Sequence, residues 1–387
     1  MKFYTQGFSF TAIQLLVTGL FFLFPYFLSH LFSPDVLSQY VLIHATANGA
    51  FAIFNFGMNQ ALIFFKRYVN VIEYMYRLLS SLTIVVFFAL VVITAFFNQF
   101  VYISVYILFT LFNILNVFLL SKDKYLTYGL KRLSWIFALY LGCYIGKLIG
   151  LDSIVFVYLF ALLLLINLST TFRFDSRYKI ILKKFWAYSK HAYVSNIVTF
   201  FAYKLPVYLV IFFYGRDSQA HFALALSASE TIFILANIIN TYLFSFYSNR
   251  NNINNVSLNQ LRQLKWIYML FSCIILVLIY PLLSHLVGPQ FDLSYIREMF
   301  IIISIGNLFF INVKFNNTAF LLLDSTKTIL LLSIVNMVLV NTAYFIGGLF
   351  ESLSVSLMLA SLGLIIIAII SDLFLRNERN KLSCKYK

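Results

Sequence analysis

The stretch HAYVSNIVTFFAYKLPVYLVIFFYG (191–215) is almost wholly apolar, yet it carries Lys204 near its middle. An ionised side chain at bilayer depth costs about 2.5–3.5 kcal/mol on insertion scales, and it usually faces a bundle interior or a water-filled cavity. Two further charges of this kind follow, Glu230 in the next apolar run and Lys314 in a later one. The stretch therefore predicts a polytopic membrane protein with a charged interior.

The composition supports this interpretation. The 387 residues are 62% hydrophobic and only 11% charged, whereas soluble domains carry about 25% charged residues. A chain this apolar is not predicted to form one soluble core. Its three cysteines have no metal-ligand spacing and predict neither a metal site nor a disulfide framework. The N-terminus lacks a signal-cleavage pattern, so we predict that it enters the first helix directly.

Twelve apolar runs are long enough to cross a hydrocarbon core of about 30 Å, which needs roughly 20 residues of helix. We predict an all-α membrane protein with two six-helix bundles, at 1–172 and 192–375, joined by a basic linker at 173–191 and followed by a basic tail at 376–387. The linker is compatible with an amphipathic interfacial helix or with an ordinary basic connection. The predicted spans are 8–28, 38–64, 78–97, 101–120, 133–149, 153–172, 192–214, 221–247, 266–287, 299–322, 328–349 and 352–375.

Basic residues alternate sharply between the predicted loops. One side holds 23 of the 28 Lys and Arg residues, and the other holds only Lys147, Arg216 and Arg297. The positive-inside rule places the basic side, and with it both termini, in the cytoplasm. The net charge of +15 then reflects topology, and nucleic-acid binding is disfavoured.

The two predicted bundles are related by an internal repeat. A shift of 182 residues superimposes the first two spans on the seventh and eighth without a gap, and it aligns polar residues as well as aromatic ones. Because each half has six spans, both halves start on the same side, which is typical of a parallel repeat with a site between the bundles. The aligned pairs include Gln14 with Asn196, Asn48 with Glu230, and Asn55 with Asn237.

Polar residues form stripes along these spans. Asn48 and Asn55 lie 4 and 11 positions after His44, so the three residues share one helical face. Glu230 and Asn237 form a matching stripe, and Lys314 continues a third that begins near Ser304 and Asn307. The stripes together favour a hydrated central cavity.

Each candidate also has a structural interpretation. Asparagine amides stabilise helix pairs by hydrogen bonding, and His44 is compatible with simple packing. Lys204 and Glu230 are compatible with a buried ion pair between adjacent helices. Lys314 lies in the inner half of its span, from which a lysine can extend to the headgroups. Asp372, near the inner end of the last span, is interpreted as a boundary charge.

Catalytic and cofactor signatures are missing from the sequence. It contains no HExxH, Walker A, Rossmann glycine or nucleophile-elbow motif. The predicted outer loops carry charges only in ones and twos. We therefore predict a transporter without a cofactor or an intrinsic nucleotide motor, and not an enzyme.

Three segments carry a family resemblance. The stretch from KKFWAYSKH to IINTYLF (183–244) resembles the start of the second half of bacterial O-antigen and capsule flippases, with Lys204 and the aromatic Phe222. The turn FSPDVLSQYVLIHATANGAFAIFNFGMNQ (32–60) resembles the matching first-half signature. The segment PLLSHLVGPQFDLSYIREMFIIISIG (281–306) is similar to the family's outer loop after the ninth span. This family belongs to the superfamily of multidrug, oligosaccharidyl-lipid and polysaccharide exporters.

The resemblance implies a V-shaped pair of bundles around a cationic cavity, in the bacterial inner membrane. The substrate would be an undecaprenyl-pyrophosphate-linked oligosaccharide, moved to the outer leaflet by alternating access and driven by a proton or sodium gradient. Membrane lipids and the polysaccharide polymerase machinery are the expected partners. Lys204 matches the family's basic position in the seventh span, and Lys314 is a looser match. The first-half spans lack a Lys or Arg at bilayer depth, which departs from some relatives.

Together these observations assign roles to nine residues. Lys204 and Lys314 would attract the pyrophosphate, and Glu230 or His44 would bind the coupling ion. The amides would hydrogen-bond sugar hydroxyls; they belong to Gln14, Asn48, Asn55, Asn196 and Asn237. The alternatives are a multidrug or cation antiporter of the same superfamily and, from another class, a membrane polysaccharide polymerase or glycosyltransferase. The first should carry more acidic than basic cavity residues, and the second a large charged outer loop.

Overall fold

The computed structural model describes residues 2–54, 109, 112–113, 125–150, 179–234, 236–237, 239–240, 255–323 and 325–385. All regular secondary structure in these ranges is helical. The named helices are α1 (Lys2–Leu31), α2 (Pro34–Phe54), α3 (Tyr125–Leu148), α4 (Lys179–Glu230), α5 (Asn255–Leu286), α6 (Leu293–Leu322), α7 (Thr326–Leu349) and α8 (Leu353–Lys385). Asn55 and the predicted spans 78–97 and 153–172 lie outside the described residues.

The helices are longer than the apolar runs that predicted them. α4 begins at Lys179, inside the predicted linker, and α8 continues to Lys385, through the predicted basic tail. A helix bonds its own backbone, so it can extend past the bilayer into water, whereas hydropathy marks only the part in lipid. Six described segments are long and apolar enough to cross a membrane; they are Ala12–Leu31, Tyr193–Glu230, Gln263–Leu286, Leu293–Leu321, Lys327–Leu349 and Leu353–Glu378.

α4 is divided into two arms by Gly215. This residue has φ 84° and ψ 176°, a conformation that side chains with a Cβ rarely adopt. The first arm (179–214) contains the predicted seventh span, and the second arm (216–230) begins the predicted eighth. The break that the sequence placed in the turn from 215 to 220 therefore occurs at its glycine.

Two compact units make up the chain. The first contains Met1–Phe24 and Gln39–Phe200, and the second contains Pro25–Ser38 and Phe201–Lys387. In the second unit, α6 packs against α5, α7 and α8, and α7 packs against α8. Small residues allow the close approach: a Cβ on Gly306 of α6 would lie 2.8 Å from the Cα atom of Ser361 on α8.

The C-terminal end of α1 is part of the second unit. The Tyr26 hydroxyl donates to the Leu224 carbonyl at 2.8 Å, and the Gly288 amide donates to Ser29 Oγ at 3.0 Å. A Cβ on Gly288 would lie 2.1 Å from the Ser29 carbonyl oxygen, so the approach requires glycine. These hydrogen bonds connect the segment Pro25–Ser38 to residues that lie 198 and 259 positions later in the chain.

Candidate functional site

A cavity of about 60 Å³ lies within the second unit, between both arms of α4 and helices α6, α7 and α8. This is room for a few water molecules or a hydrated ion, but not for an oligosaccharide. Most of its wall is apolar. The polar residues that line it are Tyr203, Glu230, Asn307, Asn336, Tyr344 and Ser361.

Glu230 supplies the carboxylate of this cavity. Its charge acts on the Lys314 ammonium and on the Tyr203 hydroxyl. The ion pair between Glu230 and Lys204 that the sequence left open does not form in the described part of the chain, whereas His221–Asp217 and Lys265–Asp372 do form ion pairs there. Glu230 is therefore a cavity-lining carboxylate outside any ion pair with a described residue.

Asn336 adds an unsatisfied acceptor to the same cavity. Its side chain is 5% exposed, and its Oδ1 atom has no hydrogen-bond partner among the described residues. Asn307, by contrast, donates from Nδ2 to Ser229 Oγ at 2.9 Å, which holds α6 against the second arm of α4. A buried amide oxygen without a donor is stabilised by a cation or a water molecule.

Lys314 and Asn237, which the polar stripes assigned to one cavity, are in contact. The Lys314 ammonium donates to Asn237 Oδ1 at 3.2 Å and lies 4.3 Å from the centre of the Phe233 ring. Both contact partners are neutral, and the Glu230 carboxylate acts on the same ammonium without forming an ion pair with it. The Lys314 side chain thus points to residues of the second unit. It does not extend toward the lipid headgroups, which was the alternative interpretation of the sequence.

Lys204 lies on the first arm of α4, next to Tyr203 of the cavity wall. Its side chain is half-buried and makes no hydrogen bond or ion pair in the described part of the chain. An ammonium without a protein acceptor retains its capacity to bind an anion.

The other predicted residues belong to the first unit. His44 lies among aromatic rings, stacked on Tyr40 at 5.8 Å and edge-on to Phe109 at 6.0 Å. Asn48 donates from Nδ2 to the His44 carbonyl at 2.7 Å, one turn earlier on its own helix. Asn196 is half-buried on the first arm of α4. Their proposed contacts with sugar or ion stay predictions.

Gln14 lies beside Arg132. This arginine immediately precedes the predicted span 133–149, so the sequence predicted it to lie in a loop. Arg132 belongs to α3, which begins seven residues before it, and its Nη1 donates to Gln14 Oε1 at 3.2 Å and to the Tyr128 hydroxyl at 3.1 Å. Gln14 is 6% exposed and lies well inside the predicted first span. The first unit therefore does have an Arg beside a spanning helix. No strong local signal reveals it, because Tyr, Thr and Gly in the run YLTYGL before Lys131 are weak helix formers.

A second missed cluster joins three helices of the second unit. Lys265 of α5, 6% exposed, pairs with Asp372 Oδ1 of α8 at 2.9 Å. Asn316 of α6 donates from Nδ2 to the same oxygen at 2.8 Å and to Ser371 Oγ at 3.0 Å. Asp372 is thus the centre of a hydrogen-bonded network, and Lys265 lies inside a helix instead of the predicted loop.

Neither a known family model nor a curated protein sequence matches this chain. Solved structures do match in fold. A multidrug resistance MATE family transporter of the MOP superfamily, in an inward-facing conformation, superposes with a TM-score of 0.68 at 14% identity, over 97% of this chain and 99% of the other. The outward-facing conformation of such a MATE family transporter superposes with a TM-score of 0.68 at 13% identity, over 97% of this chain and 95% of the other.

A third match is a MOP superfamily transporter from Pyrococcus furiosus, described by the reverse polarity of its binding pocket. It gives a TM-score of 0.65 at 12% identity, over 99% of this chain and 96% of the other. At such identities the likeness establishes the fold alone. The predicted all-α, multi-pass membrane fold is thereby confirmed.

Proposed function

We propose that this chain is an inner-membrane flippase for an undecaprenyl-pyrophosphate-linked oligosaccharide, coupled to a proton or sodium gradient. The observation that carries the proposal is the environment of Lys314, whose ammonium is held at span depth by the neutral Asn237 and Phe233. Together with the unpaired Lys204, it gives the second unit two cations available to phosphate oxygens. The fold, which resembles that of MOP superfamily transporters, supports this class of activity.

The substrate and the coupling ion would occupy different places. The Glu230 cavity is too small for a sugar chain, so we assign it to the coupling ion, with Asn336 as a second oxygen donor. The lipid tail would remain in the bilayer while the lysines hold the headgroup. A coupling ion drives alternating access only if it binds the two states unequally.

A multidrug or cation exporter is the second candidate. It is favoured by the unpaired carboxylate of Glu230 and by the names of the MATE proteins that share the fold. It is disfavoured because the candidate site has two lysines, Lys204 and Lys314, and one glutamate, Glu230, whereas a cation exporter should carry more acidic than basic residues there. The two candidates predict opposite substrate charges, which an experiment can separate.

The proposed function is tested with purified protein in liposomes. A short-chain polyprenyl-pyrophosphate oligosaccharide is placed in the membrane, and its exposure is followed with an external glycosidase. We expect faster access to the inner-leaflet pool than in protein-free vesicles, and no efflux of a fluorescent organic cation. Cation efflux without flipping would replace the proposal with the second candidate.

We expect Glu230→Gln to abolish the acceleration of flipping by a proton or sodium gradient. The slow flipping that occurs without a gradient should remain. The reason is that glutamine keeps the shape of the side chain and one acceptor oxygen but cannot bind a proton or balance the charge of a cation. The measurement is the ratio of initial rates with and without the gradient. Glu298→Gln, at an exposed carboxylate of α6, is the matched control and should keep the wild-type ratio. An unchanged ratio in Glu230→Gln would refute this role.

A further inference from the structure

A cation lies at the contact between α5 and α6, near the short connection that joins these two helices. The Arg297 guanidinium of α6 lies over the Tyr280 ring of α5, with its Cζ atom 5.1 Å from the ring centre. The Tyr280 ring in turn contacts the buried Phe300, and the two ring centres are 6.3 Å apart. An aromatic face attracts the charge of a guanidinium but offers it no oxygen acceptor. The arginine is therefore held in place with its hydrogen-bond donors unused.

The described part of the chain supplies no acceptor for these donors. The Nε atom of Arg297 is buried without a hydrogen-bond partner, and no hydrogen bond or ion pair joins its guanidinium to a described residue. The two carboxylates near it on α6 are engaged elsewhere, because Asp292 caps the start of the helix and Glu298 accepts from Ser354 Oγ at 2.6 Å. A half-buried guanidinium with unused donors is stabilised by an anion from outside the chain.

Arg297 lies at the depth of the lipid headgroups. α6 has 30 residues, which at 1.5 Å per residue span about 45 Å, whereas the hydrocarbon core is about 30 Å thick. A centred helix therefore extends roughly 7 Å past the hydrocarbon at each end. Arg297 follows the first residue of α6, Leu293, by four positions, or about 6 Å along the axis. Tyr280 fits this depth as well, because tyrosine is enriched at membrane–water interfaces.

The surface beside the guanidinium is apolar and exposed. On α6, Ile301 and Ile305 follow Arg297 by one and two turns, and both are exposed. On α5, the exposed Val277 precedes Tyr280 by three positions. Apolar side chains exposed along a spanning helix are typical of contact with acyl chains, which are as apolar as the side chains themselves. This surface thus combines a cation at headgroup depth with an apolar strip, which complements the phosphate and acyl chains of one lipid.

We propose that Arg297 and Tyr280 form a binding site for the phosphate of an anionic phospholipid, such as phosphatidylglycerol, in the leaflet at this end of the second unit. The two Nη groups of Arg297 donate to the phosphate oxygens, and the acyl chains lie along Ile301 and Ile305. A zwitterionic phospholipid is a weaker ligand, because its own cationic group competes with the guanidinium for the phosphate. The site holds a lipid of the surrounding bilayer and not the transported substrate.

The test uses full-length protein that has been purified in a neutral detergent and depleted of lipid. Dioctanoyl-phosphatidylglycerol is added at increasing concentration, and bound lipid is counted by native mass spectrometry, with dioctanoyl-phosphatidylcholine as the zwitterionic comparison. A photoreactive benzoylphenylalanine in place of Ile301 reports whether the bound lipid lies beside Arg297. Arg216→Gln is the matched control, because Arg216 is an exposed arginine of the same unit.

We expect one phosphatidylglycerol to bind in preference to phosphatidylcholine and to cross-link at position 301. Arg297→Gln should weaken this binding by about tenfold and remove the cross-link, whereas Arg297→Lys should lose less because it keeps the charge. Tyr280→Leu should weaken binding by about threefold through loss of the ring contact, and it serves if Arg297→Gln folds poorly. Arg216→Gln should bind the lipid as the wild-type protein does.

Three outcomes would overturn the proposal. The first is an unchanged affinity for phosphatidylglycerol in Arg297→Gln, and the second is equal binding of the two phospholipids by the wild-type protein. The third is preferential cross-linking of a polyprenyl-pyrophosphate oligosaccharide when both lipids are present, which would assign the site to that substrate instead. None of these measurements requires flipping, so their result is independent of the proposed function.

Discussion

Lys314→Gln is expected to lower the flipping rate about tenfold or more, whereas Lys314→Arg should retain most of it. A single charge pair about 4 Å apart contributes roughly 4 kcal/mol at an effective dielectric constant near 20, and a loss of about 1.4 kcal/mol already reduces a rate tenfold. Glutamine can still donate to Asn237 but has no charge for the pyrophosphate. Arginine keeps the charge and can bind phosphate oxygens with two donors.

The measurement is the initial flipping rate in liposomes at equal protein content, supported by the amount of surface polysaccharide in cells that express each variant. Lys327→Gln is the control, because Lys327 is an exposed lysine at the start of α7. Lys204→Ala should weaken flipping in the same direction as Lys314→Gln. Wild-type rates in Lys314→Gln would remove the observation on which the proposed function depends.

Asp372→Leu should produce the largest loss of stability among the variants considered. It removes the partner of Lys265, which is 6% exposed, and leaves a buried ammonium without an anion. Breaking a buried pair in this way costs about 3–5 kcal/mol, whereas replacing both members with apolar residues is often neutral. The double variant Lys265→Met, Asp372→Leu should therefore recover most of the loss.

Unfolding in mixed detergent micelles gives the free energies for this comparison. The matched control is Asp217→Asn, which weakens the contact of His221 with a carboxylate that is 75% exposed; exposed pairs contribute about 0–1 kcal/mol. A double variant as unstable as Asp372→Leu would show that the network acts through hydrogen bonding at Asn316 and not through charge. Equal, small losses in Asp372→Leu and Asp217→Asn would contradict the prediction.

The sequence was sufficient for features that depend on local pattern. Hydrophobic length located the six described segments that are long and apolar enough to cross a membrane, because lipid leaves little choice of structure. The turn predicted between the spans 192–214 and 221–247 contains the break at Gly215. Helical periodicity assigned Asn237 and Lys314 to one cavity, and they are bonded to each other.

Features that depend on partners far along the chain were missed. Lys265 and Arg132 were placed in loops because hydropathy ends a span at the first charge, whereas a buried partner lets the helix continue inside the protein. Those partners, Asp372 and Gln14, lie 107 and 118 residues away. The sequence also could not decide whether Glu230 forms an ion pair with Lys204, because that depends on how the helices pack.

The assignment of Pro25–Ser38 to the second unit has a consequence for how the protein is made. Tyr26, 2% exposed, fills the core of helices that the ribosome synthesises about 200 residues later. A fragment that starts at residue 201 would lack this ring and the Ser29 acceptor for Gly288. We therefore expect the C-terminal half to fold poorly without the first hairpin of the chain. Co-expressed halves should complement each other where the C-terminal half alone is degraded.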